Sequence, residues 1–190
     1  MKTLKDFNFK RKKVLLRCDF NVPLDERGLI SDDFRIKEAI PTIEYLIKAE
    51  ATVILMSHFG KPEGQVVEGL RLTPIQEKLM EYLDLSIAKS QDCIGKEVED
   101  WVKNMQPGEV LLLENLRFHK EEEGGDLGFA KKLADLGDIY INDAFGACHR
   151  PHASIVGIPK YLESGIGLLL EKEINSLENI CGDRWKPFGL

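Results

Sequence analysis

The sequence has few cysteines and none of their common motifs. Its four cysteines among 190 residues lie at positions 18, 93, 148 and 181, without a CxxC pair or the spacing of a zinc site. We therefore expect reduced thiols, no bound metal and a cytoplasmic protein.

Long apolar segments and nucleotide-binding loops are also missing. No stretch approaches the roughly 20 apolar residues of a membrane span. Segment 1–13 has neither an apolar run nor a small-residue cleavage site, so we expect no signal peptide. There is no GxxxxGK[ST] motif, and the glycines at 165 and 167 lack the third glycine of a dinucleotide fingerprint.

Excess positive charge is absent as well. The formal net charge is −6, which argues against nucleic-acid binding. With 43% hydrophobic and 31% charged residues, the composition is that of a soluble globular protein, and the length suits about one domain of ~100–200 residues.

What the sequence does contain is an alternation of strand and helix patterns. Short runs rich in Val, Ile and Leu predict buried strands at 14–16, 53–56, 110–113 and 139–141, with a brief strand near 86–89. Helical periodicity covers 33–49, 73–83, 95–104, 126–136 and 167–180. The alternation predicts an α/β fold of three layers, helix–sheet–helix, with a mostly parallel, Rossmann-like sheet of five or six strands.

Two helix starts carry local signals. Asp32 or Asp33 is expected to cap the first long helix, and Pro41 to lie in its first turn or at a kink. Thr73 is expected to cap the second, with Pro74 at its first position.

Basic and imidazole side chains follow the predicted strands. They are Arg17, His58, Lys61, Arg117, His149 and Arg150, joined by Arg35 at the start of the first long helix. Ligands of open parallel α/β sheets bind outside the carboxyl ends of the strands. Cations gathered there in an acidic chain predict a small ligand with several negative charges.

The segment after the first strand is the most informative. Arg17, Asp19 and Asn21 alternate, so in extended chain they face one pocket, while Phe20 and Val22 point toward the core. An Arg17–Asp19 salt bridge at the strand end is the alternative.

Other loops give weaker indications. Gly60 permits a tight turn or close backbone approach to a ligand, although the loop around His58 can equally be an incidental polar loop. Asn142 and Asp143 are expected to hold an arginine or histidine in place. Residues 121–123 read as a solvated acidic loop, and the role of His152 stays open.

Taken together, the segments resemble the N-terminal, phosphoglycerate-binding domain of the phosphoglycerate kinase family. They are RCDFNVP at 17–23, FRIKEAIPTIEYL with Arg35, SHFGKPEG at 57–64, LLLENLRFHKEEEG at 111–124 and INDAFGACHRPHASIVG at 141–157. The resemblance implies a parallel α/β domain that binds 3-phosphoglycerate or 1,3-bisphosphoglycerate in a glycolytic phosphotransferase.

The resemblance also implies the site. Its substrate-binding residues are Arg17, Asp19, Phe20, Asn21, Arg35, His58, Phe59, Gly60, Lys61, Arg117, His149 and Arg150. Asp19 and Asn21 would contact the glycerate hydroxyl and carboxyl end. Arg35 would be catalytic, holding the carboxyl end and stabilising the phosphoryl group in transfer.

The remaining cations would surround the 3-phosphate. These are His58, Lys61, Arg117 and Arg150, with Arg17 supporting the basic floor and His149 lining it. Lys61 stands where the family usually has arginine. The loss of a bidentate fork predicts weaker orientation of the phosphate, by ~1 kcal/mol.

Domain organisation follows from the same resemblance. Residues 1–180 are expected to form the phosphoglycerate-binding domain, including an interdomain helix at 167–180, and 181–190 to begin a truncated nucleotide-binding domain. MgATP or MgADP would bind that missing domain, so this chain would hold no cofactor and would not turn over alone. The full-length family is monomeric, whereas an uncovered helix 167–180 would favour self-association.

Other functions remain open at this stage. One is a non-catalytic phosphometabolite-binding module, which would bind its ligand tightly by itself. A different α/β enzyme, such as a sugar-phosphate isomerase, would share the cations but not the ordered segments. The last is a folded scaffold without a ligand.

Overall fold

The computed structural model describes residues 1–182, and the sheet within them has six parallel strands. They are β1 (Lys13–Arg17), β2 (Thr52–Met56), β3 (Ala88–Lys89), β4 (Val110–Leu112), β5 (Ile139–Asn142) and β6 (Glu163–Ile166). Their order is β3-β4-β2-β1-β5-β6, and every neighbouring pair is parallel. The predicted parallel α/β sheet is confirmed.

Helices connect or follow these strands, and the periodicity predicted all of them except α4. They are α1 (Phe34–Lys48), α2 (Thr73–Leu83), α3 (Lys96–Asn104), α4 (Lys120–Glu123), α5 (Leu127–Ala134) and α6 (Leu168–Gly182). Among the described residues, no helix combines the length and apolarity needed to cross a bilayer.

Side-chain alternation along the strands divides the core into two. Val14 and Leu16 of β1 pack in the cluster that includes apolar residues of α1 and α2. Leu15 points the other way, into the cluster shared with α3 and α5. Successive strand residues face opposite sides of a sheet, so both faces are covered. The three-layer prediction is confirmed.

Strand β6 is the element that the sequence pattern did not locate. It reads Glu163-Ser164-Gly165-Ile166, with its first residue exposed, and lacks the apolar run that marked the inner strands. The strand forms because it pairs with β5, and because the Ile166 N–H donates to the Lys2 carbonyl at 3.0 Å. An edge position tolerates this polar sequence.

Two aspartates lie at the start of α1, and they make different contacts. The Asp32 carboxylate accepts from the Phe34 N–H at 2.9 Å. Asp33 occupies the cap position but makes no side-chain cap bond; its carboxylate pairs with Lys37 at 2.8 Å. Pro41 lies in the interior of α1, which excludes the first-turn alternative and leaves a kink at Pro41 as the remaining prediction.

At α2 the cap lies one residue earlier than expected. The helix includes Thr73, and Leu72 is the cap residue, with Pro74 in the first turn. The buried Glu114 carboxylate accepts from the Leu72 N–H at 2.9 Å and pairs with Lys89 at 2.9 Å. A tertiary contact therefore replaces the predicted threonine cap.

The three consecutive leucines of α6 have different environments. Leu170 is buried, Leu168 packs against the cluster that includes α1, and Leu169 lines a cleft. Leu177 is 46% exposed. Helix α6 continues through residues 181 and 182, and the rest of the predicted beginning of a second domain, 183–190, lies outside the described residues.

The strand order also determines where a ligand can bind. In the strand order, β2 lies on one side of the central β1–β5 pair and β6 lies on the other. The chain therefore leaves β1 toward one edge of the sheet and leaves β5 toward the opposite edge. The connections after β1 and β5 therefore diverge, and open α/β sheets bind ligands in the crevice at such a switch point.

Candidate functional site

Four of the predicted site residues, Arg17, His58, Arg117 and Arg150, come together at the carboxyl edge of the sheet. Arg17 ends β1, His58 follows β2 and Arg117 follows β4. Arg17 lies within hydrogen-bonding distance of His58, and Arg117 donates to the loop that carries His58. Arg150, after β5, lies close enough to lower the pKa of both His58 and Arg117 by repulsion.

Arg17 is the buried centre of this group. Its side chain is 0% exposed. Nε donates to Ser154 Oγ at 3.0 Å, one terminal nitrogen donates to the Cys18 carbonyl, and the other lies 3.0 Å from His58 Nδ1. With its donors engaged inside the protein, Arg17 supplies positive charge to the edge without reaching its surface.

Glu122 compensates the positive charge of Arg17 inside the core. It is fully buried, accepts from Ser154 Oγ at 2.6 Å and from the Ser154 N–H at 2.9 Å, and lies 4.0 Å from Arg17. The expectation that 121–123 is a solvated loop was wrong for this residue. Ser154 could not be singled out from the sequence, because its role arises only from this long-range contact.

His58 is held neutral by its surroundings. Burial lowers its pKa to about 2, and repulsion by Arg17, Arg117, His152 and Arg150 adds to the shift. Arginine can only donate, so the neutral ring accepts from Arg17 at Nδ1 and carries its hydrogen on Nε2. The ring therefore keeps one donor for a ligand.

Arg117 is ordered by the neighbouring loop and retains free hydrogen-bonding capacity. It is 2% exposed, donates to the Gly60 carbonyl at 2.7 Å and lies 3.2 Å from Glu123. Its other terminal nitrogen is buried and has no partner among residues 1–182. Burial lowers its pKa. A buried donor without a partner is costly, and an anion would satisfy it.

Asn115 joins the loops after β2 and β4, a role that the sequence analysis missed. Its Oδ1 accepts from the N–H groups of Phe59 at 3.0 Å and Arg117 at 3.1 Å. Its Nδ2 donates to the carbonyls of Phe59 at 2.7 Å and Leu70 at 3.0 Å. The only sequence indication was an asparagine directly after a buried strand.

Asn21 connects the loop after β1 to the same structure. Its Oδ1 accepts from the Gly60 N–H at 2.9 Å. Gly60 has φ +61°, in the left-handed region, and an added Cβ would lie 2.6 Å from a Leu70 methyl. Glycine at this position allows the backbone to receive both Asn21 and Arg117.

A second part of the edge is a cleft of about 370 Å³ at the switch point. Arg35 donates to Asp19 at 2.6 Å across it. Its lining residues are Asp19, Phe34, Arg35, Glu38, Phe145, Gly146, Leu169 and Glu173. An added Cβ on Gly146 would lie 2.8 Å from Asp19 Oδ2. The cleft thus brings together the loops after β1 and β5 with α1 and α6.

Three expectations about these loops were wrong. Arg17 does not share a pocket with Asp19 and Asn21, and no Arg17–Asp19 bridge forms among the described residues, because Arg17 turns to Ser154 while Asp19 pairs with Arg35. Within residues 1–182, the side chains of Asn142 and Asp143 hold no arginine or histidine.

Those two side chains order backbone instead. Asn142 accepts from the Ala144 N–H at 3.0 Å. Asp143 accepts from the Leu170 N–H at 2.9 Å and so fixes the start of α6. Burial raises the pKa of Asp143, while hydrogen bonds from Thr42 and α6 oppose that shift.

The other predicted site residues differ in exposure. Phe20 and Val22 lie in the core as predicted, and so does Phe59, which leaves only backbone groups of the phenylalanines near the site. Lys61 and His149 are exposed, and Arg150 is half-buried. His152 is buried, with Nδ1 3.8 Å from Glu122.

Comparison with known proteins gives one consistent result. The family model described as phosphoglycerate kinase matches residues 4–190. The phosphoglycerate kinase of Moorella thermoacetica is 54% identical over 186 residues, covering 98% of this chain and 47% of that protein. That of Hydrogenobaculum sp. is 50% identical over 187 residues, with the same two coverages.

Solved structures agree. Phosphoglycerate kinase from Pyrococcus horikoshii superimposes with a TM-score of 0.88 at 36% identity, covering 100% of this chain and 47% of that one. The Coxiella burnetii enzyme gives 0.82 at 34% identity, with coverages of 93% and 44%. The chain spans about half the length of the relatives it matches. Since the family model covers nearly every residue, the chain belongs to the phosphoglycerate kinase family.

Proposed function

We propose that this chain binds 3-phosphoglycerate or 1,3-bisphosphoglycerate, as the acid-substrate half of a phosphoglycerate kinase. The observation that carries the proposal is the cluster of Arg17, His58, Arg117 and Arg150, in which His58 Nδ1 lies 3.0 Å from the buried Arg17 guanidinium and a buried nitrogen of Arg117 has no partner within residues 1–182. A protein with net charge −6 concentrates these groups at one edge, and a polyanionic ligand would relieve their repulsion.

The 3-phosphate would bind where free donors converge. His58 offers its Nε2 hydrogen, and Arg117 offers the buried nitrogen that lacks a partner within the described residues. Arg150, Lys61 and His149 lie nearer the solvent and would close around the phosphate. Arg17, which is buried, would attract the phosphate through its positive charge and not through direct contact.

The acid end of the substrate would lie at the cleft. Arg35 is half exposed and already directed across it by Asp19. Its guanidinium would hold the carboxyl end and stabilise the phosphoryl group in transfer, a role worth ~10³-fold or more where an arginine performs it. Asp19 and Asn21 would accept from the glycerate hydroxyl, and the backbone near Phe20, Phe59 and Gly60 would shape the floor.

The nucleotide and its magnesium would bind outside this site. The two carboxylates nearest the cations are engaged, since Asp19 pairs with Arg35 and Glu122 accepts from Ser154. The proposed 3-phosphate position is therefore lined mainly by cations, which suits an anion rather than a magnesium ion. We assign residues 1–180 to the acid-substrate domain and MgATP or MgADP to a second unit beyond this chain.

The outward side of α6 would contact that second unit, and without it the chain would self-associate there. On its own the chain would bind phosphoglycerate modestly and would not turn over. A site that cannot close keeps its charged side chains in contact with water, and water weakens their electrostatic attraction to the ligand. A coupled assay with ATP, magnesium and 3-phosphoglycerate should give no rate above background. Turnover near that of a complete kinase would contradict the assignment.

Calorimetry with 3-phosphoglycerate tests the binding itself. Arg150→Gln should weaken binding about tenfold or more, the worth of one hydrogen bond to a charged group. Within residues 1–182 no side-chain hydrogen bond holds Arg150, so this variant should keep its fold. The control is Lys103→Gln on α3, beside a separate cleft at the amino edge of the sheet. Equal affinities for the two variants would overturn the proposal, and tight binding by the parent would favour a self-sufficient binding module.

A further inference from the structure

Three side chains with metal-binding atoms meet at the β3–β4 end of the sheet. Asp92 and Cys93 lie in the turn between β3 and α3, and His119 follows the short helical turn after β4. Since β3 and β4 are parallel neighbours, both turns come together at the carboxyl edge. One carboxylate oxygen of Asp92, Cys93 Sγ and a ring nitrogen of His119 all lie within 4.8 Å of one another.

We propose that Asp92, Cys93 and His119 form a binding site for a divalent transition metal such as Zn²⁺. A sulfur, a nitrogen and an oxygen donor suit this class of ion, whereas magnesium prefers oxygen ligands alone. Tetrahedral zinc bonds of about 2.0–2.3 Å place ligand atoms roughly 3.3–3.8 Å apart, so the three side chains reach this geometry by movements of about 1 Å. The site goes beyond the proposed substrate binding and shares no residue with it.

The surroundings already orient two of the ligands. Asp92 Oδ1 lies 2.6 Å from His119 Nε2 and accepts from the Cys93 N–H at 2.6 Å. The His119 ring packs against Phe129 with centroids 5.2 Å apart. These contacts fix the imidazole and the carboxylate, which lowers the ordering cost of binding an ion.

Access and depth also suit a metal. The Asp92 side chain is 50% exposed and that of His119 25%, so an ion can enter from the solvent. Cys93 is buried and forms the floor. On binding, a bond forms between Sγ and the metal as the thiol proton passes to water. The metal also replaces the hydrogen that bridges Asp92 Oδ1 and His119 Nε2, and the neutral imidazole keeps its hydrogen on Nδ1. Three protein ligands leave a fourth position for a water molecule.

A reactive thiol would be the other use of this cluster, and its geometry argues against that. The Cys93 side chain is buried, whereas reactive cysteines are partly exposed to solvent. A metal ion bound by Asp92 and His119 would compensate the charge of the buried thiolate directly.

Titration of the chain with Co²⁺, with Zn²⁺ as competitor, tests the site. We expect one equivalent of cobalt to give thiolate charge-transfer and tetrahedral ligand-field absorption, displaced by one equivalent of Zn²⁺ but not by millimolar Mg²⁺. Cys93→Ser should abolish the charge-transfer band, and Asp92→Asn or His119→Gln should weaken cobalt binding about tenfold or more. Cys148→Ser, at an exposed thiol, is the matched control and should change nothing.

Two results would overturn the proposal. One is the absence of a thiolate band in the parent chain, and the other is a band that survives Cys93→Ser, which would assign it to another cysteine. If circular dichroism shows that Cys93→Ser does not fold, the test uses the variant of the partly exposed His119 instead. In that case, unchanged cobalt affinity in His119→Gln would reject the site. Neither result bears on phosphoglycerate binding, which is measured separately.

Discussion

At the residue scale, His58 shows how burial sets the charge of the site. Its pKa is lowered to about 2 from an ordinary 6.5. Below pH 6.5 the unfolded chain takes up a proton that the folded chain does not, so the free energy of unfolding falls with falling pH. From pH 7 to pH 5 this loss amounts to about 2 kcal/mol for one fully shifted histidine.

His58→Gln removes that titration. The variant should lose about 2 kcal/mol less than the parent between pH 7 and pH 5, as measured by urea unfolding with a chelator present. His119→Gln is the control of opposite sign. The Asp92 carboxylate raises the pKa of His119, so that pair stabilises the fold at low pH and weakens as pH rises. Identical pH dependence in parent and His58→Gln would show that His58 is not buried as described.

The sequence predicted the cations of the site better than the residues that hold them. Arg17, His58 and Arg117 stood out because each follows a strand that its apolar run reveals. Glu122 and Asn115 did not, because their functions depend on partners brought close only by the fold, Ser154 in one case and Phe59 in the other. The proposed metal site has no sequence signature for the same reason, since Cys93 and His119 come from different turns, and the expectation of no bound metal stays a prediction that the cobalt titration tests.

At the scale of elements, the loop after β2 depends on the backbone of Gly60. Gly60→Ala should lower the free energy of unfolding by about 1–2 kcal/mol, the cost of a left-handed conformation for a residue with a Cβ. It should also weaken 3-phosphoglycerate binding, because the Gly60 carbonyl orients Arg117. Urea unfolding and calorimetry measure the two effects.

A matched control lies in the same region. Gly69 has ordinary backbone angles and open space around its Cα, so Gly69→Ala should change stability by no more than about 0.5 kcal/mol. Equal destabilisation by the two substitutions would mean that the left-handed turn is not required.

Elements with a clear period were predictable, and those fixed by neighbours were not. The inner strands and the long helices follow their apolar patterns to within a few residues. Strand β6 was missed because Glu163, Ser164 and Gly165 carry no strand pattern, and it is held by pairing with β5 and by the Lys2 carbonyl. The start of α2 shifted because Glu114 caps it from another loop.

At the scale of the whole molecule, the outward side of α6 should decide the association state. Leu177 is 46% exposed, on the side where we propose that the second unit packs. Leu177→Gln should therefore shift the chain toward monomer in sedimentation velocity, since it removes exposed apolar surface. Leu29→Gln, at a residue 56% exposed elsewhere, should leave the distribution unchanged. A parent chain that is strictly monomeric at high concentration would contradict this expectation.

The arrangement as a whole makes one edge of the sheet a receptor for a phosphorylated acid. Mapping amide chemical shifts during a titration with 3-phosphoglycerate tests that claim most directly. We predict saturable shifts at 19–21, 35, 58–61, 117 and 150, with residues 135–138 at the opposite edge unaffected. Shifts confined to the amino edge, or none at millimolar ligand, would contradict the account.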